Sequence, residues 1–200
     1  GAGGIRVGLV LGRKQFPYMS KKMSRVIYGQ NIMSILKNEI YRILNNNSRI
    51  YTKYRNKFLV QTFIPGLLGD AKVLYFGGKY FLLGRKTRLN DFRASGSGRF
   101  YQISGKEAND ILSLSRLLVL ELGEEIVGAD IGHDGEKAHL FEYQVGVFIG
   151  PYAMQCSKYW YEYDDIRGGW LKKYGKTELE KEYCRSIDIQ IKKYEKAKTY

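Results

Sequence analysis

Two hundred residues carry 33 Lys+Arg against 20 Asp+Glu, a formal net charge of +13, with 44% hydrophobic content. That balance excludes disorder as the main state, and a chain this long hides roughly 70% of its unfolded surface without disulfide staples. Cys156 and Cys184 are the two cysteines and show no Cys-x-x-Cys or Cys/His spacing, which argues against a secreted scaffold or a zinc site and for a cytoplasmic protein. No window approaches 18 uninterrupted apolar residues and no signal-peptide pattern opens the chain, so no membrane span is expected.

The positive charge calls for an anionic partner without choosing among nucleic acid, phosphates and acidic lipid. Its longest runs, Lys21-Lys22 and Lys192-Lys193, are short, which weakens a nucleic-acid tail. The chain opens on Gly1 and enters an apolar pattern at once, and so reads as a fragment.

In chain order, Gly1 to Leu11 reads as a glycine loop and a strand, and Ser24 to Leu44 as an amphipathic helix stopping at Asn45-Asn46-Asn47. Phe58 to Ile64 is a continuous apolar run that predicts a strand closed by Pro65-Gly66. Lys72 to Phe76 and Tyr80 to Leu83 flank Gly77-Gly78 as a hairpin. Ser104 and Glu107 have capping-box spacing ahead of a helix that ends at Gly123. Ile126 to Ile131 and Ala138 to Gln144 form a second hairpin. Thr177 and Glu180 repeat the capping-box spacing before a last helix ending near Lys198. This succession gives an α+β chain with antiparallel sheets and flanking helices. Its organisation reads as a main region over 1–150 and an aromatic-rich tail with a carboxy-terminal helix over 151–200.

Three constellations carry chemistry. Gly1-Ala2-Gly3-Gly4 could bring backbone amides against a phosphate, or be a plain turn. Asp130, Glu142 and Gln144 supply three oxygen ligands of the kind hard Mg²⁺ takes. Alternation puts Glu142 and Gln144 on one face, and Asp130 lies opposite Glu142 if the hairpin is centred on Glu136 with an odd loop of three or five residues. A two-residue turn at Asp134-Gly135 would instead send the two acids to opposite faces. Third, Arg85-Lys86 and the stretch Asp91-Phe92-Arg93-Ala94-Ser95-Gly96-Ser97-Gly98 combine guanidinium groups with exposed amides suited to phosphate or carboxylate oxygens, or form a linker. His133 and His139 read as turn or surface residues, and the cysteines as buried small apolar groups. Tyr159-Trp160-Tyr161-Tyr163 reads as packed or as a subunit contact, the latter implying a homo-oligomer.

Taken in order, these segments resemble the ATP-grasp superfamily, in its glutathione-synthetase-like and glutamate-adding branch of carboxylate–amine ligases. Gly1-Ala2-Gly3-Gly4-Ile5-Arg6-Val7 is similar to the family's loop over the triphosphate, and Gln61-Thr62-Phe63-Ile64 to the hinge strand at the adenine edge. The stretch from Asp70 to Lys79 resembles its Asp-x-Arg strand and Gly-Gly turn, with Lys72 in place of the Arg. Arg85-Lys86 falls on its phosphate-contacting basic pair, Asp91 to Gly96 on its Phe-Arg-Ser-Asn stretch, and Asp130, Glu142 and Gln144 on its magnesium-binding Asp…Glu-x-Asn. The final Asn is thus a Gln here, and the family's upstream lysine and amino-terminal domain do not precede Gly1.

The resemblance implies a two-lobed grasp fold holding ATP and Mg²⁺, with a small carboxylate activated as an acyl phosphate and then attacked by an amine. It makes Lys72, Arg85 and Lys86 phosphate-neutralising groups, and Arg93 with the 95–98 loop the group that positions the acyl phosphate or acceptor. Two other readings stay open. One is a basic nucleic-acid-binding module, which leaves the Asp130/Glu142 pair unexplained because acids repel a phosphate backbone. The other is a degenerate grasp protein that binds nucleotide without turnover.

Overall fold

The computed structural model describes residues 7–24, 40, 58–94, 96–146 and 152–198. The chain divides into two compact units, one made chiefly of Ile5–Phe63 and the other of Ile64–Tyr200. In the first, residues 7–11 form no strand, contrary to expectation. Gly8 lies closely against the side chains of Met19 and Met23, so this segment packs on a helix instead of pairing with a strand. That helix, α1 (Phe16–Ser24), follows a 3-10 turn and carries Pro17 in its first turn, where a missing N–H costs nothing. Residues 58–63 are also irregular: Leu59 is 91% exposed, and an apolar run becomes a strand only where a neighbour takes up its backbone groups. Gly1 to Gly4 and nearly all of the helix expected over Ser24 to Leu44 lie outside the described residues.

The second unit is α+β. Strands β1 (Gly69–Phe76) and β2 (Lys79–Lys86) are joined by Gly77-Gly78, whose φ angles of +45° and +97° are the left-handed values that a two-residue hairpin turn demands. After β3 (Phe100–Tyr101) comes α2 (Gly105–Leu122), then β4 (Ile126–His133) and β5 (Ala138–Val145), a short helix α3 (Tyr152–Cys156), the hairpin β6 (Tyr159–Asp164) and β7 (Gly169–Tyr174), and α4 (Leu179–Ala197). The strands form one antiparallel sheet in the order β5-β4-β1-β2-β6-β7, with β3 also on β2. Helix α2 starts after Ser104 and ends on Gly123 at φ +69°. Ser104 makes no side-chain cap bond, and Glu107 instead accepts from the Tyr101 hydroxyl at 3.5 Å. Thr177 is likewise not the N-cap of α4, which is Glu178.

Two apolar layers hold the sheet. On one face Ala71, Val73, Leu82, Val127 and Ile131 pack against Ala108, Ile111 and Leu112 of α2, whose buried positions follow helical spacing. On the other, Leu74, Phe76, Phe81 and Leu83 meet Ala153 and Met154 of α3 and Tyr183 of α4. Fully burying each Val, Leu, Ile, Phe or Met side chain among them stabilises the fold by about 1.5–3 kcal/mol. The tail is therefore no separate region. Tyr161 of β6 pairs with Tyr80 of β2 and is 8% exposed, so the boundary expected at residue 150 runs through a continuous sheet. Both cysteines are free and exposed, where burial was expected. Among the described residues no helix is long and apolar enough to cross a membrane.

Candidate functional site

Strand alternation and two hairpin registers gather the charged candidates. The two-residue turn pairs Asp70 with Arg85 and Lys72 with Leu83. Lys72 is also the partner of Asp130 on β4, and Asp130 of Glu142 on β5. Directly opposed residues of an antiparallel ladder share a face, so Asp70, Lys72, Arg85, Asp130 and Glu142 all project on the α3 side. Gln144, two residues beyond Glu142 and paired with Gly128, joins them.

The loop responsible differs from the one expected. Four residues, 134–137, connect His133 to Ala138, an even loop that would bring Phe141 opposite Asp130. A bulge between the Asp130 and Ile131 pairings inserts one extra residue in β5 and moves Glu142 into that place. The tip is fixed by Asp134, whose Oδ1 accepts from the backbone N–H of Glu136 and Lys137, each at 2.9 Å.

Arg85 is the hub. Its Nε donates to Asp70 Oδ1 at 2.6 Å and its Nη2 to Asp70 Oδ2 at 2.8 Å, a bidentate fork. Nη2 also lies 3.0 Å from Asp130 Oδ2, and Nη1 donates to the Tyr152 hydroxyl at 2.7 Å. Burial works against the guanidinium charge, but the bonds to Asp70 and the charge of Asp130 outweigh it and raise its pKa above the ordinary value. For Asp70, burial pushes the carboxyl up and Arg85 pulls it back down only in part. Lys72 Nζ approaches Asp130 Oδ1 at 2.9 Å off the hydrogen-bonding line, so that buried oxygen has ionic company but no aligned donor. Glu142 Oε1 accepts from Gln144 Nε2 at 3.3 Å.

The other candidates fall elsewhere. Lys86, the next residue after Arg85, projects to the opposite face and stands over the Tyr101 ring at 5.9 Å. There it lines a cleft of about 590 Å³ with Asp70, Arg99, Tyr101, Glu107 and His133, which Asp130 and Glu142 do not line. Burial, then the nearby Glu107 carboxylate, pushes the Tyr101 hydroxyl up to about 12. Arg93 is bound to its neighbour Asp91: Nη2 lies 2.5 Å from Asp91 Oδ2, and the Arg93 backbone N–H donates to Oδ1 at 3.0 Å. That bond lowers the Asp91 carboxyl and raises the Arg93 guanidinium. The loop is tied by Arg88 N–H to Arg93 O at 2.9 Å and Ser97 N–H to Ala94 O at 3.0 Å. Ser95 lies outside the described residues, as do Gly1, Ala2, Gly3 and Gly4, and Gln61, Thr62, Phe63 and Ile64 form no strand. His133 and His139 contact Asp110 at 2.9 Å and Asp134 at 2.6 Å.

Among the described residues no three His, Cys, Asp or Glu side chains are gathered as a metal set. What the face offers is two carboxylates, Asp130 and Glu142, on directly opposed positions, an amide beside them, and the buried Asp130 Oδ1 without an aligned donor. The sequence matches no family model, and neither a curated protein nor a solved structure matches it.

Sequence reasoning gave no role to Asp70 and Tyr152, the two groups that hold Arg85. The signal for Asp70 was present, because a two-residue turn at Gly77-Gly78 forces residue 70 opposite residue 85. For Tyr152 there was none, since it arrives from the remote helix α3.

Proposed function

We propose that residues 64–200 are the phosphate- and metal-binding part of an ATP-dependent carboxylate–amine ligase with an ATP-grasp fold, acting in the cytoplasm. One observation carries the reading: Lys72, Arg85, Asp130, Glu142 and Gln144 share a face across the adjacent strands β2, β1, β4 and β5. Alternation alone would scatter such residues over both faces, as it does Arg85 and Lys86.

The donor chemistry fits Mg²⁺: the carboxylates of Asp130 and Glu142 and the amide oxygen of Gln144 would hold it, and bound there it would neutralise phosphate charge. Lys72 is the neighbouring cation for phosphate oxygens. Arg85 has a partner on each of its three nitrogens and acts by positioning Asp70 and Asp130. Lys86, on the other face, contributes charge at longer range, and Arg93 with the 96–98 loop meets the acyl phosphate or the acceptor.

In the reaction a carboxylate oxygen of the substrate attacks the γ-phosphorus of ATP and the bond to ADP breaks. An amine nitrogen then attacks the acyl carbon, phosphate leaves, and the nitrogen loses a proton to give an amide. The protein's part is positioning and charge neutralisation. Hydroxylamine trapping tests it: with ATP, Mg²⁺ and a panel of small carboxylates, a hydroxamate forms and ADP accumulates stoichiometrically. ATP binding with no hydroxamate or ADP for any carboxylate supports the degenerate reading, which the double engagement of Asp130 by Lys72 and Arg85 favours. Salt-sensitive binding of single-stranded RNA without nucleotide binding supports the nucleic-acid reading.

A further inference from the structure

Helix α4 packs on the sheet through Glu182 and Ser186, both buried. Glu182 Oε1 lies 2.6 Å from Lys79 Nζ, and Arg185 donates to the carbonyls of Phe76 and Gly77 at 2.7 Å each, which fixes the helix in rotation. Consequently its other side faces out. Cys184 is exposed there, and Ile187 and Ile191 are 47% and 49% exposed; Tyr194, 54% exposed, stands at the edge of this side with its hydroxyl 3.5 Å from Glu124 Oε1. Spaced three, four and three residues apart, they make one seam of the kind two helices use to pack. Exposed Glu180 stands at the amino-terminal end of the seam and exposed Lys198 at the carboxy-terminal end.

The seam is symmetric about residue 189. Ile187 and Ile191, Cys184 and Tyr194, and Glu180 and Lys198 are pairwise equidistant from it. Two copies of α4 laid antiparallel about a two-fold axis therefore put Ile187 against the other copy's Ile191, Cys184 against Tyr194, and Glu180 against Lys198 at both ends. Along one flank Lys181 meets Glu195. A parallel pair would instead oppose Glu180 to Glu180 and Lys198 to Lys198. Near the axis Asp188 comes close to its symmetry mate, but its carboxylate lies 2.6 Å from Lys192 Nζ of its own helix. An isologous contact must be self-complementary in this way, and a seam that is apolar in the middle and opposite in charge at its ends meets the requirement.

We propose that the chain forms a two-fold symmetric homodimer through antiparallel pairing of α4, by the side that this helix turns away from the sheet. Sedimentation velocity on the full 200-residue chain from low micromolar to about 100 µM tests it, since a single helix pair is at the small end of interfaces and self-associates weakly. Wild type shifts from monomer to dimer with concentration. Ile187→Asp, which leaves the buried side of α4 untouched and the circular dichroism unchanged, stays monomeric. Glu180→Lys and Lys198→Glu each weaken the dimer severalfold, and the double exchange restores it. In a Cys156→Ser background, oxidation of Tyr194→Cys cross-links Cys184 to the new thiol between chains. Cys184 does not cross-link to Cys184, because ten residues of helical rise hold those atoms about 15 Å apart and a disulfide needs its Cα atoms within about 7 Å. A chain that stays monomeric throughout, a Cys184–Cys184 cross-link, or Ile187→Asp dimerising as tightly as wild type overturns the proposal.

Discussion

Asp130 faces Glu142 across the β4–β5 ladder, and the bulge in β5 is what brings them together. Without the extra residue the same four-residue tip would bring an aromatic ring opposite Asp130. The pairing of two acids is thus built into the backbone, and the charges that tolerate it, Lys72 and Arg85, come from the neighbouring hairpin.

Removing the hub should cost more than removing any acid around it. Arg85→Met leaves Asp70 without its cation in a buried setting and Asp130 with Lys72 alone, and is expected to destabilise the fold by about 3–5 kcal/mol. Adding Asp70→Leu should recover much of this, because an apolar pair replaces an orphaned charge. Urea denaturation of the three proteins decides it, and a loss under about 1 kcal/mol for Arg85→Met would mean that the fork carries little.

Gly69 permits the approach of β1 to β2 at the same place. A Cβ there would overlap the backbone carbonyl oxygen of Arg85, and a backbone atom cannot swing aside as a side chain can. Gly69→Ala is expected to destabilise by about 1–3 kcal/mol and to lower Mg·ATP binding, because Asp70 and Arg85 shift with their strands. Gly78→Ala is the contrast: open space surrounds it, but its φ of +97° makes the change strained for a different reason.

Glu182 gives α4 a pH dependence. Burial alone would push its carboxyl up, but hydrogen bonds from Lys79 and Arg185 hold it below the ordinary glutamate range. A lowered carboxylate contributes stability that is present above its unfolded pKa of about 4.3 and is lost as pH falls through the folded value. The stability gap between wild type and Glu182→Gln should therefore be widest near neutrality and shrink below about pH 4. A gap that grows on acidification would reverse the assignment.

Arg93 separates chemistry from loop structure. Its guanidinium pairs with Asp91, two residues before it at a partly exposed site where ion pairs contribute little, so Arg93→Ala should leave the melting temperature nearly unchanged. If the loop meets the acyl phosphate, turnover falls by orders of magnitude. Full turnover in Arg93→Ala would reduce the segment 91–98 to a linker.

Both hairpins around the site were legible because their signals are local. Gly77-Gly78 fixes a turn and thereby a register, and alternation then places every side chain. The loop length at 134–137 was misjudged, since a bulge leaves no mark in composition or periodicity: the pairing of Asp130 with Glu142 that was expected from an odd loop comes from an even loop and a bulge. Phe58 to Ile64 failed for the opposite reason. Its apolar pattern is that of a strand, but a strand needs a neighbour, and nothing in the run itself says whether one arrives. The hairpin β6–β7 went unread because its Tyr and Trp residues read as a packed or subunit-contact cluster with no element assigned, although aromatic alternation about Asp164 to Gly168 is a strand signal.

The sharpest measurement is calorimetric titration of Mg·ATP into the wild-type chain and into Glu142→Gln, a nearly isosteric change that removes one of the facing carboxylates. Saturable, magnesium-dependent binding by wild type that is lost in Glu142→Gln, with both proteins melting at the same temperature without nucleotide, is the expected result. Wild type that takes up no Mg·ATP at millimolar concentration, or Glu142→Gln that binds it equally well, would contradict the assignment of this sheet face to nucleotide and metal.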